Sequence, residues 1–188
     1  MGIYCNSIFL LFSTALFFLL SSSTSVDTIS ANHTIKDGNT IVSHGGTFEL
    51  GFFSLRNSKK NRYLGIWYKK ISVGTVVWVA NRRHQSLIHP ASIKLVETEP
   101  DGSHYGNTVI WPSNSMISDR NLNPVAQLLE TGNLVVWDRS STEKSLVWKR
   151  FDYFGDTFMP RMKFGKDLER GRERSSTSWK SPDDPSPV

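Results

Sequence analysis

Three short segments of the chain each end in a tryptophan that follows two apolar residues, at least one of them β-branched. The three tryptophans are Trp78, Trp111 and Trp148, which stand 33 and 37 positions apart. A period of about 20–50 residues indicates a repeated supersecondary unit that buries its apolar face against its neighbours. We therefore predict three similar sheets that each bury one tryptophan against a common axis.

The pattern between these tryptophans favours an all-β fold. Apolar stretches are short, rich in β-branched and aromatic side chains, and separated by glycine, asparagine, serine and proline, as around residues 47–53, 63–68 and 133–137. Such runs with turn residues between them are typical of a β-sandwich or a barrel-like fold. Outside the N-terminal segment, no stretch of a dozen residues keeps a helical apolar period without glycine or proline, so we expect little helix.

The first 25 residues have the pattern of a secretory signal peptide. From Ile8 to Leu20, 11 of 13 residues are apolar, and small polar residues follow up to Ser25, the expected cleavage point. The alternative is a signal anchor, but this run, at about 1.5 Å per residue, is too short for a hydrocarbon core of about 30 Å. Cleavage would remove Cys5, the only cysteine of the chain.

Secretion would also make the chain accessible to glycosylation. The triplet Asn32-His33-Thr34 is its only N-glycosylation sequon, and Asn32 is the expected acceptor. We expect the protein to be secreted into the extracellular space (the apoplast), or to lie at the plasma membrane if it belongs to a longer receptor. No second apolar run is long enough to span a bilayer, so we expect no membrane span after signal cleavage.

Several longer motifs are specific enough to compare with known families. The chain reads Gly46-Thr-Phe-Glu-Leu-Gly-Phe-Phe-Ser54, then Arg62-Tyr-Leu-Gly-Ile-Trp-Tyr-Lys69, then Thr75-Val-Val-Trp-Val-Ala-Asn-Arg82. Residues 124–138 and 178–187 continue the same pattern. Together these motifs resemble the bulb-type (monocot mannose-binding) lectin domain, in the version found in plant S-locus glycoproteins and G-type lectin S-receptor-like serine/threonine kinases.

The resemblance implies a fold and a domain organisation. The implied fold is a β-prism of three four-stranded sheets with pseudo-threefold symmetry, in agreement with the tryptophan repeat. The implied domains are a signal peptide over residues 1–25, a bulb-type lectin domain over 27–155, and a basic, proline-rich start of the following S-locus-glycoprotein-like segment over 156–188. Phe154 and Gly155 stand where the family has proline and cysteine. A disulfide there is therefore impossible, and the local order of the segment is in question.

The resemblance also implies a sugar-binding groove, which this chain keeps only in part. The family binds mannose with the pattern Gln-x-Asp-x-Asn-x-Val-x-Tyr on one strand, whose alternate side chains line one groove. The pattern aligns with Leu129, Thr131, Asn133, Val135 and Trp137, of which only Asn133 and Val135 match. A lost neutral hydrogen bond costs about 0.5–1.5 kcal/mol and a lost charged one about 1.5–3 kcal/mol. We therefore predict a degenerate groove without useful mannose binding.

The sequence carries no signature of catalysis or of a bound cofactor. Its five histidines lack metal-ligand spacing, and it has no nucleophile elbow, phosphate-binding loop or kinase catalytic loop. We expect no enzyme, no cofactor, no metal and, for a secreted protein, no nucleic-acid partner. The net charge of +5, with basic clusters at 56–62 and 149–180, leaves two interpretations, which are a site for an acidic glycan and a solvated basic face.

Two classes of function fit these patterns. The first is an extracellular recognition module, related to plant receptor-like kinases, for a peptide, protein or glycan ligand. The second is a ligandless scaffold or decoy that pairs with the ectodomain of a related receptor. A functional carbohydrate-binding lectin is a further alternative, which a glycan array would separate from both.

Overall fold

The structure is a computed structural model, and it describes residues 26–30, 33–55, 61–71, 75–82, 92–94, 108–110, 123–141, 146–168 and 171–188. The predicted signal peptide, the glycosylation acceptor Asn32 and the second tryptophan of the repeat, Trp111, lie outside the described residues. Most of the first basic cluster, residues 56–60, lies outside them as well.

Within the described residues the chain is nearly all β, which confirms the predicted fold class. Its strands are β1 (Thr28–Ser30), β2 (Thr34–Lys36), β3 (Ile41–Val42), β4 (Phe48–Phe53), β5 (Tyr63–Tyr68), β6 (Val76–Val79), β7 (Ser92–Lys94), β8 (Thr108–Ile110), β9 (Pro124–Leu128), β10 (Leu134–Asp138), β11 (Leu146–Lys149), β12 (Gly165–Asp167), β13 (Arg172–Arg174), β14 (Trp179–Ser181) and β15 (Asp184–Pro187). One 3-10 turn, Arg150–Asp152, follows β11. No helix in the described part is long and apolar enough to cross a membrane.

The strands before residue 150 form three sheets. Sheet I has the order β3-β4-β5-β6, and sheet III has the order β1-β9-β10-β11. All strand pairs in these two sheets are antiparallel. Sheet II is described with three strands in the order β2-β7-β8, of which β7 and β8 are parallel. This arrangement is consistent with the β-prism that the resemblance implies.

Trp78 in β6 and Trp148 in β11 occupy equivalent positions in sheets I and III. Trp78 pairs with Ile66, Trp148 pairs with Val136, and in both sheets the register shifts directly beside this pair. Such a shift is a β-bulge, which bends the tryptophan strand and increases its twist. The two indole rings approach each other with their centroids 6.3 Å apart. The structure thus places two of the three tryptophans of the repeat at equivalent positions, with Trp78 buried and Trp148 partly buried.

Alternate side chains of sheets I and III form a shared apolar core. The inward-facing residues include Phe48, Leu50, Phe52, Leu64, Ile66, Ala126, Leu128, Leu134 and Val136. Successive side chains of a strand point to opposite faces, so the residues between these lie on the outer faces. Full burial of a leucine, isoleucine or phenylalanine side chain stabilises a fold by about 1.5–3 kcal/mol. This core can hold the sheets together without a disulfide.

The segment after β11 packs into this core before it continues to the C-terminus. Met159 and Met162 are buried members of the core, and Phe154 packs against it. The Gly155 carbonyl accepts a hydrogen bond from the Thr177 backbone N–H (3.2 Å). The segment whose local order the sequence put in question is therefore fixed by core packing and by a contact to the C-terminal strands.

Arg82, three residues after β6 ends at Val79, holds the C-terminal segment. Its Nε donates to the Pro185 carbonyl (2.6 Å), and its terminal nitrogens donate to the Thr177 hydroxyl (3.0 Å) and to the carbonyls of Thr177 (3.0 Å) and Ser178 (3.1 Å). The predicted domain boundary at residue 155 stays a prediction. These contacts favour a folded unit that includes the C-terminal hairpin β14–β15.

Candidate ligand-binding site

The five predicted groove positions divide between a turn and a strand. Leu129, Thr131 and Asn133 lie in the turn between β9 and β10, where the Gly132 N–H donates to the Leu129 carbonyl (2.9 Å). Gly132 has a φ of 75°, which glycine adopts most readily. The expectation that all five side chains lie along one strand is therefore wrong for the first three, because the chain reverses direction there.

Val135 and Trp137 do lie on one strand, β10, as the resemblance implied. Their neighbours Leu134 and Val136 belong to the core, so Val135 and Trp137 are on the outer face of sheet III. Val135 is buried and pairs with Lys149 of β11, whereas Trp137 is half-buried. The structure thus keeps the predicted apolar and aromatic side chains on one face but separates them from a continuous polar row.

Asn133 is buried, and its side chain has a structural partner. Its Oδ1 accepts a hydrogen bond from the Phe151 backbone N–H at 3.0 Å. A backbone N–H can only donate, so this contact fixes the orientation of the amide and leaves Nδ2 as its remaining donor. One acceptor position of the amide oxygen is consequently engaged within the protein, which gives Asn133 a structural role beside any role in a groove.

A pocket with a cavity volume of about 280 Å³ opens at this end of sheet III. Its lining residues are Leu129, Thr131, Asn133, Lys149, Phe151, Asp152, Arg161 and Lys163. The structure therefore brings three of the five predicted groove residues together and leaves Val135 and Trp137 outside the lining. The other five lining residues were not identified as site residues from the sequence, which showed only that residues 149–180 are basic.

The pocket is electropositive. Three of its lining side chains are cationic and one is a carboxylate. That carboxylate, Asp152, forms ion pairs with Lys149 (3.6 Å) and with Arg174 (3.2 Å). Within the described part of the chain, Arg161 and Lys163 have no ion-pair partner. The site therefore carries cationic donors that no carboxylate among the described residues neutralises.

Arg161 reaches the pocket from a strained turn. The Met162 N–H donates to the Met159 carbonyl (3.1 Å), and Arg161 has a φ of 74°. Pro160 precedes it and has a fixed negative φ. A negative φ at the second turn position followed by a positive φ at the third is the geometry of a type II turn. The third position of this turn normally holds glycine or asparagine. Among described residues other than glycine, Arg161 is the one with positive φ.

Arg150 lies between the pocket residues Lys149 and Phe151 in the chain and is fully buried. One of its terminal nitrogens donates to the Val77 carbonyl of sheet I (2.7 Å), and its guanidinium carbon lies 6.0 Å and 5.3 Å from the ring centroids of Trp78 and Phe151. Burial lowers the pKa of Arg150 to about 10, so the side chain is charged at neutral pH. Arginine is rarely fully buried, and no sequence pattern indicates this role.

A family model described as D-mannose binding lectin matches residues 75–180 of the chain. Among curated proteins, S-locus-specific glycoprotein S6 of Brassica oleracea is 39% identical over 188 residues, which is 97% of this chain and 43% of that protein. The receptor-like serine/threonine-protein kinase SD1-8 of Arabidopsis thaliana is 42% identical over 87% of this chain and 20% of that protein. The G-type lectin S-receptor-like serine/threonine-protein kinase SRK of the same plant is 43% identical over 97% of this chain and 21% of that protein.

The chain spans about two fifths of the glycoprotein and about a fifth of the two kinases, so what it shares with the kinases is a minor part of each. The family model covers more than half of the chain. The chain belongs to the D-mannose binding lectin family, in the form shared with S-locus glycoproteins and G-type lectin S-receptor-like kinases.

Proposed function

We propose that the chain is an extracellular recognition domain, of the kind present in S-locus glycoproteins and receptor-like kinases, that does not bind mannose through the groove positions 129–137. The names of its relatives, glycoproteins and receptor-like kinases, support a role at the cell surface. The observation that carries the second part is the Asn133 side chain. Its amide oxygen already accepts a hydrogen bond from the Phe151 backbone, so the one polar residue that matches the family pattern is held by the protein itself.

Two further groove positions lack polar groups that the family pattern uses to bind mannose. Leu129 has no polar group, and Thr131 offers a hydroxyl where the family pattern has a carboxylate. The absence of one neutral and one charged hydrogen bond weakens binding by roughly 30- to 1000-fold or more, at about 1.4 kcal/mol for each tenfold change. A site built from weak individual contacts does not tolerate a loss of this size.

Titration of the purified full-length secreted protein with mannose and mannose oligosaccharides tests the proposal. We expect no saturable heat or fluorescence change at millimolar sugar, while circular dichroism shows a folded β protein. Saturable binding of a mannoside that competes with free mannose would contradict the proposal. The positive control is a family lectin that retains the complete Gln-x-Asp-x-Asn-x-Val-x-Tyr pattern.

A second candidate function is a scaffold that pairs with the ectodomain of a related receptor. Three phenylalanine rings, of Phe154, Phe158 and Phe164, have centroids 6.3–6.4 Å apart on the surface. Phe158 and Phe164 are 57% and 66% exposed, and exposed aromatic clusters are typical of interaction surfaces. This candidate predicts co-purification with the ectodomain of an S-receptor-like kinase, and loss of that complex when Phe158 and Phe164 are replaced by serine.

A further inference from the structure

We propose that the pocket beside the turn of sheet III binds a uronic-acid residue of an acidic polysaccharide. The proposal rests on the proposed function, because it names the ligand class that such an extracellular recognition domain would take. It concerns the pocket of about 280 Å³ lined by the turn between β9 and β10, by Lys149 and by the segment that contains Arg161 and Lys163.

The charge of the pocket selects an anion. Asp152 is already paired with Lys149 and Arg174, whereas Arg161 and Lys163 are exposed and, in the described part of the chain, without an ion-pair partner. A guanidinium binds a carboxylate with two parallel hydrogen bonds, and an ammonium adds a point charge beside it. A sugar that carries a carboxylate would therefore gain contacts here that a neutral hexose lacks.

The other lining residues suit a sugar ring. Leu129 and Phe151 supply apolar surface for the C–H face of the ring, and Thr131 and Asn133 supply neutral donors for its hydroxyls. Both ion pairs of Asp152 involve its Oδ1, so Oδ2 can accept a hydrogen bond from a ring hydroxyl. Pockets for drug-sized ligands measure about 300–1,000 Å³, so a cavity at the lower limit suits one monosaccharide unit of a longer chain.

The backbone of Arg161 provides an independent argument for a function of its side chain. An arginine with a φ of 74° occupies a turn position that glycine would occupy without strain. Backbone strain that the surrounding structure maintains tends to cluster at binding and catalytic sites. Here Met159 and Met162, both buried in the core, anchor the turn and hold Arg161 at the pocket.

The decisive variant is Arg161→Gly, because it separates binding from folding. Glycine relieves the turn, so this variant should melt at a higher temperature than the wild type. It should also bind oligogalacturonate at least about tenfold more weakly, since a charged hydrogen-bonding group is lost. Lys163→Ala, which leaves the turn unchanged, should weaken binding by a smaller factor. Lys36→Ala removes one exposed positive charge on β2, away from the pocket lining, and should bind like the wild type.

Isothermal titration of the full-length secreted protein with four probes completes the test. Oligogalacturonate should bind, and its fully methyl-esterified form, mannose oligosaccharides and poly-glutamate should bind at least about tenfold more weakly. Failure of the folded protein to bind oligogalacturonate overturns the proposal, as does equal binding of the ester or of poly-glutamate, or wild-type affinity of both pocket variants. None of these outcomes affects the proposed function, which fails instead if mannosides bind.

Discussion

Sheets I and III have the same strand arrangement, and in each an asparagine side chain hydrogen-bonds across the last two strands at the same end of the sheet. The asparagine comes from a different strand in each sheet. In sheet I, Asn81 stands three residues after Trp78, and its Oδ1 accepts from the Leu64 backbone N–H (2.8 Å). In sheet III, Asn133 stands directly before Leu134, and its Oδ1 accepts from the N–H of Phe151 (3.0 Å). Phe151 in turn stands three residues after its own tryptophan. Both hydrogen bonds therefore join equivalent strand ends. In sheet I the acceptor side chain follows the tryptophan strand, whereas in sheet III it precedes the partner strand.

This exchange explains Asn133 without a sugar. Both sheets have a bulge beside the tryptophan, and the strand end that follows needs a side chain to satisfy a backbone N–H there. Either strand can supply that side chain. A match to a family binding pattern at Asn133 is therefore evidence for the closure of sheet III and is insufficient as evidence for mannose.

The same ends differ in what covers them. In sheet I, Tyr63 is fully buried, and burial raises its pKa, with the charge of Asp184 of the C-terminal hairpin raising it further. Arg82 fastens that hairpin through the carbonyls of Thr177 and Pro185. In sheet III, the corresponding end opens into the basic pocket beside Asn133. In sheet I this end is covered by the C-terminal segment, whereas in sheet III it is open at the pocket.

Replacement of each tryptophan by alanine gives the largest expected effect. Trp78 is 5% exposed, whereas Trp148 is only partly buried. Large-to-small core substitutions of this kind cost about 3–5 kcal/mol, so we expect Trp78→Ala to lose a free energy of unfolding in this range and Trp148→Ala to lose less. Urea denaturation followed by circular dichroism measures both. Equal losses would show that the two sheets contribute equally in spite of their different burial.

Removal of the Arg82 side chain should release the C-terminal hairpin. Its hydrogen bonds to Pro185, Thr177 and Ser178 each carry a charged donor, but they are partly solvated and not additive, so we expect Arg82→Ala to cost about 2 kcal/mol. The cost should fall on the segment after residue 155. Limited proteolysis should therefore cut the variant there first, while Lys36→Ala, a control at an exposed position of β2, stays resistant.

Local patterns were enough to predict the fold class and the equivalence of the two tryptophan strands. Side chains alternate between the two faces of a strand, so the face on which Trp78 or Trp148 lies depends only on residues a few positions away. The turn at Leu129–Asn133 also has a local signal, the pair Thr131-Gly132. The family pattern instead implies a strand there, and the structure shows that the turn residues determine the local conformation.

The charges of the pocket could not be placed from the sequence. Lys149, Arg161 and Lys163 meet the turn only because β11 pairs with β10 and the Met159–Met162 turn packs into the core. Contacts of this kind depend on tertiary packing. The burial of Arg150 is equally invisible, because arginine is expected at the surface.

Substitutions of Asn81 and Asn133 test whether the two side chains have the same structural role, which is to accept a hydrogen bond from the backbone of the neighbouring strand. Alanine at Asn133 or Asn81 leaves a backbone N–H unsatisfied and should cost about 1–3 kcal/mol in each sheet. Replacement by aspartate should affect the two positions differently. Asn133→Asp keeps the acceptor for Phe151, whereas Asn81→Asp also loses the Nδ2 donor to the Arg62 carbonyl (3.1 Å) and places a carboxylate beside it.

We therefore expect Asn81→Asp to lower the free energy of unfolding more than Asn133→Asp does. Urea denaturation of all four variants at neutral pH gives the comparison. An equal cost of the two aspartate variants would show that Asn81 acts only as an acceptor. A mild effect of Asn133→Ala would remove the structural explanation of Asn133 and return it to the candidates for sugar binding.

The smallest expected effect concerns Glu130, which links the turn of sheet III to the turn before β4 of sheet I. Hydrogen bonds from the Thr47 side chain, from Ser43 and from the backbone N–H groups of Gly45 and Thr47 hold the pKa of Glu130 below its ordinary value of 4.5. The Gly45 N–H lies 2.9 Å from its Oε2. A carboxyl with a lowered pKa in the folded state stabilises the fold above its unfolded pKa, and that stabilisation is lost as the pH falls through the folded value.

Glu130→Gln should therefore be slightly less stable than the wild type at neutral pH, and the difference should shrink as the pH falls below 4.5. The side chain is exposed, so solvent screening keeps the effect small. Asp138 and Asp184 also have lowered pKa values, chiefly from hydrogen bonds with Ser140 and Ser186, so only the difference between variant and wild type at each pH isolates Glu130. A difference that stays constant from neutral pH to pH values below 4.5 would mean that its charge does not couple the two turns.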